Sequence, residues 1–187
     1  PPRRLVVKVW GLKESRELWS LDRGEARGGA ATFSPDGKRV AWTERGDDGR
    51  IQLLVWDVGA ERAVSETQVD DDASGLQFSD DNRRLAITGR LGSLRLLHVE
   101  RREPPLVLEG HQGRIHDAVF NAKATRLVTG GADLRVRLWD TNTGQQLVEL
   151  TGSDEVVESV AISPDGKWLA ASDTRGGLRL WNGTPLP

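Results

Sequence analysis

The chain has 187 residues, of which 37% are hydrophobic and 29% charged, a balance typical of a globular protein. Its 26 basic and 28 acidic side chains leave a net charge of −2, which argues against a general attraction to nucleic acid or to an anionic membrane. The absence of cysteine excludes disulfides and thiolate metal sites, and no apolar run approaches the roughly 18 residues of a membrane helix. The sequence also lacks methionine, so we expect it to be processed or to be part of a longer protein.

The chain opens with two predicted strands, near residues 5–10 and 17–21, and then repeats itself with a period near 42. One marker of the repeat is a tryptophan or histidine that recurs at intervals of 42, 41 and 42 residues. A second marker is a phenylalanine or isoleucine that recurs at intervals of 45, 42 and 42 residues. The first marker falls at Trp56, His98, Trp139 and Trp181, and the second at Phe33, Phe78, Phe120 and Ile162. Two markers that share one period indicate that a single supersecondary unit is repeated.

Each repeat is predicted to be four short strands. The clearest copy, residues 113–152, contains the runs RIHDAVF, RLVTGG, RVRLWD and QQLVEL, which are separated by polar turns. Short β-branched runs with turns every eight to twelve positions favour an all-β fold. The sequence Ser-Pro-Asp-Gly occurs at residues 34–37 and again at 163–166, where proline fixes φ early in a hairpin turn and glycine accepts positive φ at its end.

These features resemble the WD-repeat β-propeller family: the period, the pairs Trp56-Asp57 and Trp139-Asp140, and the pair at residues 110–111, Gly-His. The resemblance implies antiparallel four-stranded blades and a hydrogen-bonded structural tetrad in the third repeat. The tetrad residues are His111, Thr129, Asp133 and Trp139. The other repeats depart from this pattern. At the position of Asp133 they carry Arg50, Gly92 and Arg175, and His98 stands where a tryptophan is expected.

The repeats define the expected organisation of the chain. We expect outer strands of a preceding blade at residues 1–27. Three blades are expected to follow, at residues 28–69, 70–109 and 110–152, and then a partial last blade at residues 153–187. This gives seventeen strands, whereas a closed ring of four blades would need about 16 and most propellers of the family have about seven blades. We therefore expect an incomplete arc of a larger propeller, with the remaining blades in the parent protein.

No sequence pattern supports an enzyme. A nucleophile elbow, a phosphate-binding loop before a helix and paired carboxylates are all missing from the sequence. His116 has no second ligand at metal-binding spacing, and His111 is better explained as a tetrad member. We therefore expect no catalytic residue, no cofactor and no metal.

The family resemblance implies a binding surface at the narrow face of the propeller, where loops lead into each innermost strand. It points to the start of that strand and to the residue before the tetrad aspartate. The candidate partner-binding residues are Arg27, Asp72, Ser74, Arg114, His116, Ala132, Val156, Glu158 and Thr174. Because they mix charge signs and include little aromatic surface, they suggest a polar peptide or protein partner.

The sequence therefore predicts a non-catalytic protein-interaction scaffold within a larger, cytoplasmic protein, without nucleic-acid binding or membrane insertion. Two alternatives are open at this point. One is a secreted or periplasmic propeller that binds a small ligand or assists an enzyme. The other is a purely structural subunit of an assembly.

Overall fold

The computed structural model describes residues 4–70, 72–101 and 103–183, and this part of the chain is entirely β-structure and connections. It contains sixteen strands. Their bounds are β1 Arg4–Gly11, β2 Arg16–Phe33, β3 Arg39–Gly46, β4 Ile51–Asp57, β5 Arg62–Val69, β6 Ala73–Phe78, β7 Arg84–Gly89, β8 Leu94–His98, β9 Leu106–Val107, β10 Ile115–Phe120, β11 Arg126–Gly131, β12 Val136–Asp140, β13 Gln146–Leu150, β14 Val157–Ile162, β15 Trp168–Asp173 and β16 Leu178–Asn182.

The strands form four antiparallel sheets in which neighbours in sequence are neighbours in space. The first sheet is β1–β5, the second β6–β9, the third β10–β13 and the fourth β14–β16. Sheets of consecutive antiparallel strands follow from the short turns that the sequence predicts. The all-β fold class predicted from the sequence is confirmed.

The first sheet differs from the sequence expectation in its strand count. Two separate strands were expected, one near residues 17–21 and one from residue 28, but β2 runs through both. Its first part pairs with β1, as in Val9 opposite Trp19, and its second part pairs with β3, as in Phe33 opposite Val40. Residues 22–27 contain no proline to end the strand, so pairing switches from one neighbour to the other without a turn.

The described residues therefore contain sixteen strands instead of the expected seventeen. The assignment of residues 1–27 to a preceding blade stays a prediction, as do the other blade boundaries. Residues 1–3 and 184–187, at the ends of the first and last predicted units, lie outside the described residues.

Consecutive sheets pack face to face. Strand β2 contacts β6, β6 contacts β10 and β10 contacts β14, so these four strands line a common axis. Each of the three seams has its own apolar core. The seam between the first and second sheets contains Leu53, Val55, Phe78, Leu85 and Leu97; the next contains Leu96, Phe120, Leu127 and Trp139; the last contains Val128, Val136, Leu138, Val157 and Val160. The radial stacking of small sheets is the arrangement expected of a propeller.

The strand register corrects one sequence assignment. Trp139 lies opposite Leu127, and the corresponding pair in the second sheet is Leu97 opposite Leu85. Leu97 therefore holds the tryptophan position, and the interpretation of His98 as its replacement is wrong. His98 lies opposite Arg84, and in the third sheet Asp140 lies opposite Arg126 in the same way. His98 therefore holds the position of the aspartate that follows the tryptophan. A one-residue error of this kind moves a side chain to the other face of the sheet.

Candidate functional site

One end of the sheets gathers the loops that lead into the first strands and the hairpin turns between the second and third strands. We call it the loop face, formed by residues 70, 72–74, 90–93, 111–116, 132–134, 153–158 and 174–176. Backbone hydrogen bonds join loop to turn in three sheets. The N–H of Ala132 donates to the carbonyl of Arg114 at 2.8 Å, and that of Thr174 to Val156 at 3.0 Å. Four of the predicted partner-binding residues are thus neighbours, Arg114 with Ala132 and Val156 with Thr174.

The first strand of the second, third and fourth sheets contains a β-bulge at the loop face. In the third sheet Ile115 pairs with Gly131 and Asp117 pairs with Gly130, which leaves His116 as the extra residue. The same irregularity leaves Ser74 extra in the second sheet and Glu158 extra in the fourth. A bulge bends the strand and re-aims a side chain. The side chains of His116 and Glu158 are exposed, and that of Ser74 is half-buried.

The remaining predicted residues differ in exposure. Arg114 and Thr174 are exposed on the loop face, whereas Asp72, Ala132 and Val156 are half-buried. Arg27 is also exposed, but it lies within β2, opposite Arg45. Eight of these nine residues therefore lie on the loop face, five in loops or turns and three in the bulges, whereas Arg27 lies within β2 of the first sheet.

The four residues of the predicted tetrad lie together in the third sheet. The indole N–H of Trp139 donates to Thr129 Oγ1 at 2.8 Å, and the same oxygen lies 2.7 Å from His111 Nε2. His111 Nδ1 lies 3.0 Å from the carboxylate of Asp133. Trp139 and Thr129 are completely buried, so each of these polar groups needs its partner. The chain of contacts fastens the loop before β10 to the turn after β11.

The electrostatics of this cluster favour a neutral histidine. Burial lowers the pKa of His111, an effect that Asp133 opposes and that the Arg137 guanidinium, 2.9 Å from Nδ1, reinforces. The carboxylate of Asp133 can only accept, which favours a proton on Nδ1, and Nε2 of the neutral ring then accepts a hydrogen bond from the Thr129 hydroxyl. Burial would raise the pKa of Asp133, but His111 and the hydrogen bonds from Arg137 and His111 hold it below its usual value.

The second sheet fastens its loop with different residues. The carboxylate of Asp72 accepts the backbone N–H of Leu91 at 2.7 Å and the hydroxyl of Ser93 at 2.6 Å. The N–H of Arg90 donates to the carbonyl of Asp72 at 3.0 Å. Asp72 therefore joins loop to turn through its side chain and its backbone, and its carboxylate is engaged within the sheet.

The first sheet uses a buried glutamate. Glu44 is only 6% exposed and accepts hydrogen bonds from the Arg23 guanidinium at 2.8 Å and from the indole of Trp42 at 3.0 Å. Arg23 lies just before the part of β2 that pairs with β3. Its contact with Glu44 joins residues 21 positions apart, close to the 22 positions between His111 and Asp133.

The fourth sheet uses Asp173, at the end of its second strand. Its carboxylate accepts the backbone N–H of Gly177 at 2.8 Å and the Arg179 guanidinium at 2.8 Å. The hydrogen bond from Gly177, with those from Arg179 and Arg175, holds the pKa of Asp173 below its usual value. Sequence reasoning missed the contacts in these three sheets. A carboxylate at the end of an apolar second strand, as in Glu44 and Asp173, is the signal that could have found two of them.

Two further residues of the loop face were not among the predicted partner-binding residues. Arg90 occupies the position equivalent to Ala132 and Thr174, and it is exposed. Its neighbour Leu91 is 81% exposed. A Cβ added at Gly92 would lie 2.4 Å from the carbonyl oxygen of His111, so the turn of the second sheet rests directly on the loop of the third. The loop face is continuous across this seam.

Within residues 4–70, 72–101 and 103–183, no group of three or more His, Asp or Glu side chains is arranged to hold a metal ion. The same described residues include no helix long and apolar enough to cross a membrane.

Comparison with known proteins identifies two repeats of the family described as "WD domain, G-beta repeat", at residues 102–140 and 144–182. Mouse coronin-7 is 34% identical over 117 residues, which cover 57% of this chain and 13% of that protein. Chicken serine-threonine kinase receptor-associated protein is 27% identical over 180 residues, covering 96% of this chain and 49% of that protein. Human WD repeat-containing protein 36 is 23% identical over 183 residues, which cover 97% of this chain and 20% of that protein. The chain thus spans half or less of each relative.

A solved chain in "Crystal Structure of Mitotic Checkpoint Complex" superimposes with a TM-score of 0.77 at 19% identity, covering 96% of this chain and 57% of that one. This likeness supports the propeller fold, and the relatives and matched repeats support the resemblance drawn from the sequence. Propellers of this kind are suited to act as protein-interaction scaffolds. The chain is therefore similar to members of the WD-repeat family, with matched repeats at residues 102–140 and 144–182.

Proposed function

We propose that the chain is a non-catalytic interaction scaffold within a larger protein and that its loop face binds a polar peptide or protein segment. The observation that carries the proposal is the placement of the bulged residues Ser74, His116 and Glu158 on one face of three successive sheets. Each bulge follows a loop that is hydrogen-bonded to its own sheet. Loops held in this way lose little conformational entropy when a partner binds.

The charges of the loop face suggest what the partner carries. Arg90 and Arg114 are exposed and make no ion pair with other described residues, and Leu91 lies beside Arg90. Glu158 brings a negative charge on the fourth sheet. We therefore expect a segment with an apolar side chain next to carboxylates over the second and third sheets, and a basic group near Glu158.

The proposal also covers the setting of the chain. We expect a cytoplasmic location and further blades in the parent protein. Leu178 and Leu180 on the fourth sheet are 69% and 64% exposed, whereas the equivalent Val136 and Leu138 in the third sheet are each 2% exposed. A further blade packed on that face would remove this apolar surface from water.

The test is a comparison of two double variants. We expect Arg114→Ala with Glu158→Ala to lose partners that the unchanged chain retains in affinity capture followed by mass spectrometry. Asp80→Ala with Arg83→Ala is the matched control, because it removes one anion and one cation from an exposed turn at the opposite end of the sheets. Both variants should keep the circular dichroism spectrum of the unchanged chain. Equal capture by both would contradict the loop face as the binding surface.

A further inference from the structure

A carboxylate joins the inner strands of the third and fourth sheets. Asp117 in β10 reaches across the seam, where its Oδ2 accepts the Ser159 hydroxyl at 2.8 Å and the backbone N–H of Val160 at 2.9 Å. Its Oδ1 accepts the N–H of Ala118 in its own strand at 2.9 Å. Both oxygens are therefore engaged, and a carboxylate makes stronger hydrogen bonds than a neutral acceptor.

The contact uses a backbone group that the fourth sheet leaves open. The N–H of Ser163 donates to Trp168 in β15 at 2.9 Å. Backbone groups alternate along a strand, so the N–H of Val160 points away from β15. Among the described strands β14 has β15 as its one neighbour within the sheet. The Asp117 carboxylate thus supplies an acceptor on the side of β14 where no strand pairs.

The position of this contact relates it to the loop face. Asp117 directly follows the bulged residue His116. Its partner Ser159 directly follows the bulged residue Glu158. A bulge aims the side chain of its extra residue, so a movement of one strand against the other would change the separation of His116 and Glu158. The hydrogen bonds of Asp117 oppose that movement.

The preceding seam lacks such a contact. In the second sheet the residue after the bulge is Gly75, which has no side chain to reach β10. A Cβ added at Gly75 would lie 2.3 Å from Thr88 Oγ1, so there is little room for a larger residue. Within the part of the chain that the structure describes, side-chain hydrogen bonds between inner strands of neighbouring sheets occur only at the seam of Asp117. The spacing of the inner strands is therefore fixed by a side chain at this seam and not at the one before it.

We propose that Asp117 is a positioning residue of the loop face. It fixes the spacing between His116 and Glu158, so the loop face selects a segment by the distance between the acidic and basic groups of that segment. The inference rests on the proposed function, in which carboxylates lie over the second and third sheets and a basic group lies near Glu158. A site whose spacing is already set loses little conformational entropy when such a segment binds. A segment with another separation leaves one charge without its partner and binds more weakly.

The binding experiment uses the full chain and a series of labelled synthetic peptides. Each peptide carries one glutamate and one lysine on either side of a leucine, in both orders, and the separation of the two charges increases along the series. By fluorescence anisotropy, we expect the unchanged chain to bind one separation about tenfold more tightly than peptides two residues shorter or longer. Asp117→Ala should reduce this preference to about threefold or less. Asp117→Asn should keep it, because the amide can accept the Val160 N–H and donate to Ser159.

A spectroscopic experiment tests the spacing without a peptide. The sequence has no cysteine, so His116→Cys with Glu158→Cys accepts two spin labels at defined sites. In this background Asp117→Ala should broaden the distribution of distances between the labels, measured by electron paramagnetic resonance, and Asp117→Asn should leave it narrow. In the unlabelled chain, the Val160 N–H should exchange with solvent about tenfold faster after Asp117→Ala.

Asp165→Ala provides the comparison for both measurements. The Asp165 carboxylate also accepts a hydroxyl, that of Ser163 at 2.6 Å, and a backbone N–H, that of Lys167 at 3.1 Å. These contacts lie within one turn of the fourth sheet, so their loss should leave the label distances and the Val160 exchange unchanged.

Two results would overturn the inference alone. One is the same preference for charge separation in the unchanged chain and in Asp117→Ala, and the other is the same distribution of label distances in both. Failure of the proposed function would look different. The unchanged chain would then bind no peptide of the series, or Arg114→Ala with Glu158→Ala would bind the peptides as tightly as the unchanged chain. Either result would also remove selection by spacing, whereas the label distances would still show whether Asp117 holds the two sheets.

Discussion

In the third sheet a neutral histidine and a carboxylate hold the loop before the first strand, whereas in the first sheet Arg23 and Glu44 fasten the equivalent segment. The register explains the difference. Thr129 lies two residues beyond the partner of Trp139, and the equivalent position in the first sheet is occupied by Trp42. The Trp42 indole donates to Glu44 at 3.0 Å, and the Trp56 indole has no acceptor among the described residues. Both sheets therefore have a polar contact that holds the segment before the inner strand, but different residues form it in each sheet.

The third sheet should be the more sensitive to loss of its carboxylate. Asp133→Ala leaves His111 buried without the acceptor of its Nδ1 and removes one of the acceptors of the buried Arg137, which keeps Gln146 and Glu149, and we expect it to lower the free energy of unfolding by about 3 kcal/mol. Urea unfolding followed by circular dichroism measures this. Asp133→Asn keeps an acceptor for His111 and should cost less. A loss below about 1 kcal/mol for the alanine variant would mean that the cluster does not hold the loop.

In the first sheet a milder change tests the corresponding carboxylate. Glu44→Gln keeps the size of the side chain but weakens the charge-assisted bonds from Arg23 and Trp42, so we expect a loss of about 1.5 kcal/mol. Tryptophan fluorescence during urea unfolding reports mainly on this sheet, because four of the seven tryptophans lie in it, at residues 10, 19, 42 and 56. The matched control is Glu66→Gln, at a side chain 47% exposed that also contacts Arg23, and it should cost less than about 0.5 kcal/mol. Equal effects would contradict a special role for burial.

The two sheets should also differ in their response to acid. Burial lowers the pKa of His111 in the folded chain, so the unfolded chain binds the proton more readily. Its contribution to stability is present above the ordinary value near pH 6.5 and is lost as the pH falls through that value toward the lowered pKa. We expect a loss of about 1 kcal/mol between pH 7 and pH 5. The first sheet contains no histidine among its described residues and should lack this contribution.

Urea midpoints across this pH range measure the effect. His111→Gln should reduce the pH dependence without abolishing it, because burial and then Arg101 and Arg84 also lower the pKa of His98. The two histidines act in the same direction, so His98→Gln should reduce the dependence by a further part. An unchanged dependence in the His111 variant would mean that His111 does not carry a lowered pKa.

The sequence was sufficient to predict the fold because periodicity and turn chemistry act locally. The steps near 42 residues and the repeated Ser-Pro-Asp-Gly turns identify four-stranded units without any knowledge of their neighbours. The contact between Arg23 and Glu44 joins residues 21 positions apart on different strands, and no local pattern marks it. The bulge at His116 depends on how two strands pair, which a single strand does not reveal. The residues at the loop face were therefore easier to predict than the contacts that hold them.

The smallest expected effect tests the corrected register itself. His98 lies opposite Arg84 as Asp140 lies opposite Arg126, where the side chains form an ion pair at 2.6 Å. His98→Asp would allow the same pair and would remove the buried Nδ1 atom, which has no hydrogen-bond partner. We expect it to raise the free energy of unfolding by about 0.5 kcal/mol, as is usual for a partly exposed pair. His98→Trp is the opposing variant: it should destabilise the chain, because this position faces away from the seam that Leu97 fills. Stabilisation by tryptophan and not by aspartate would return the aromatic position to residue 98.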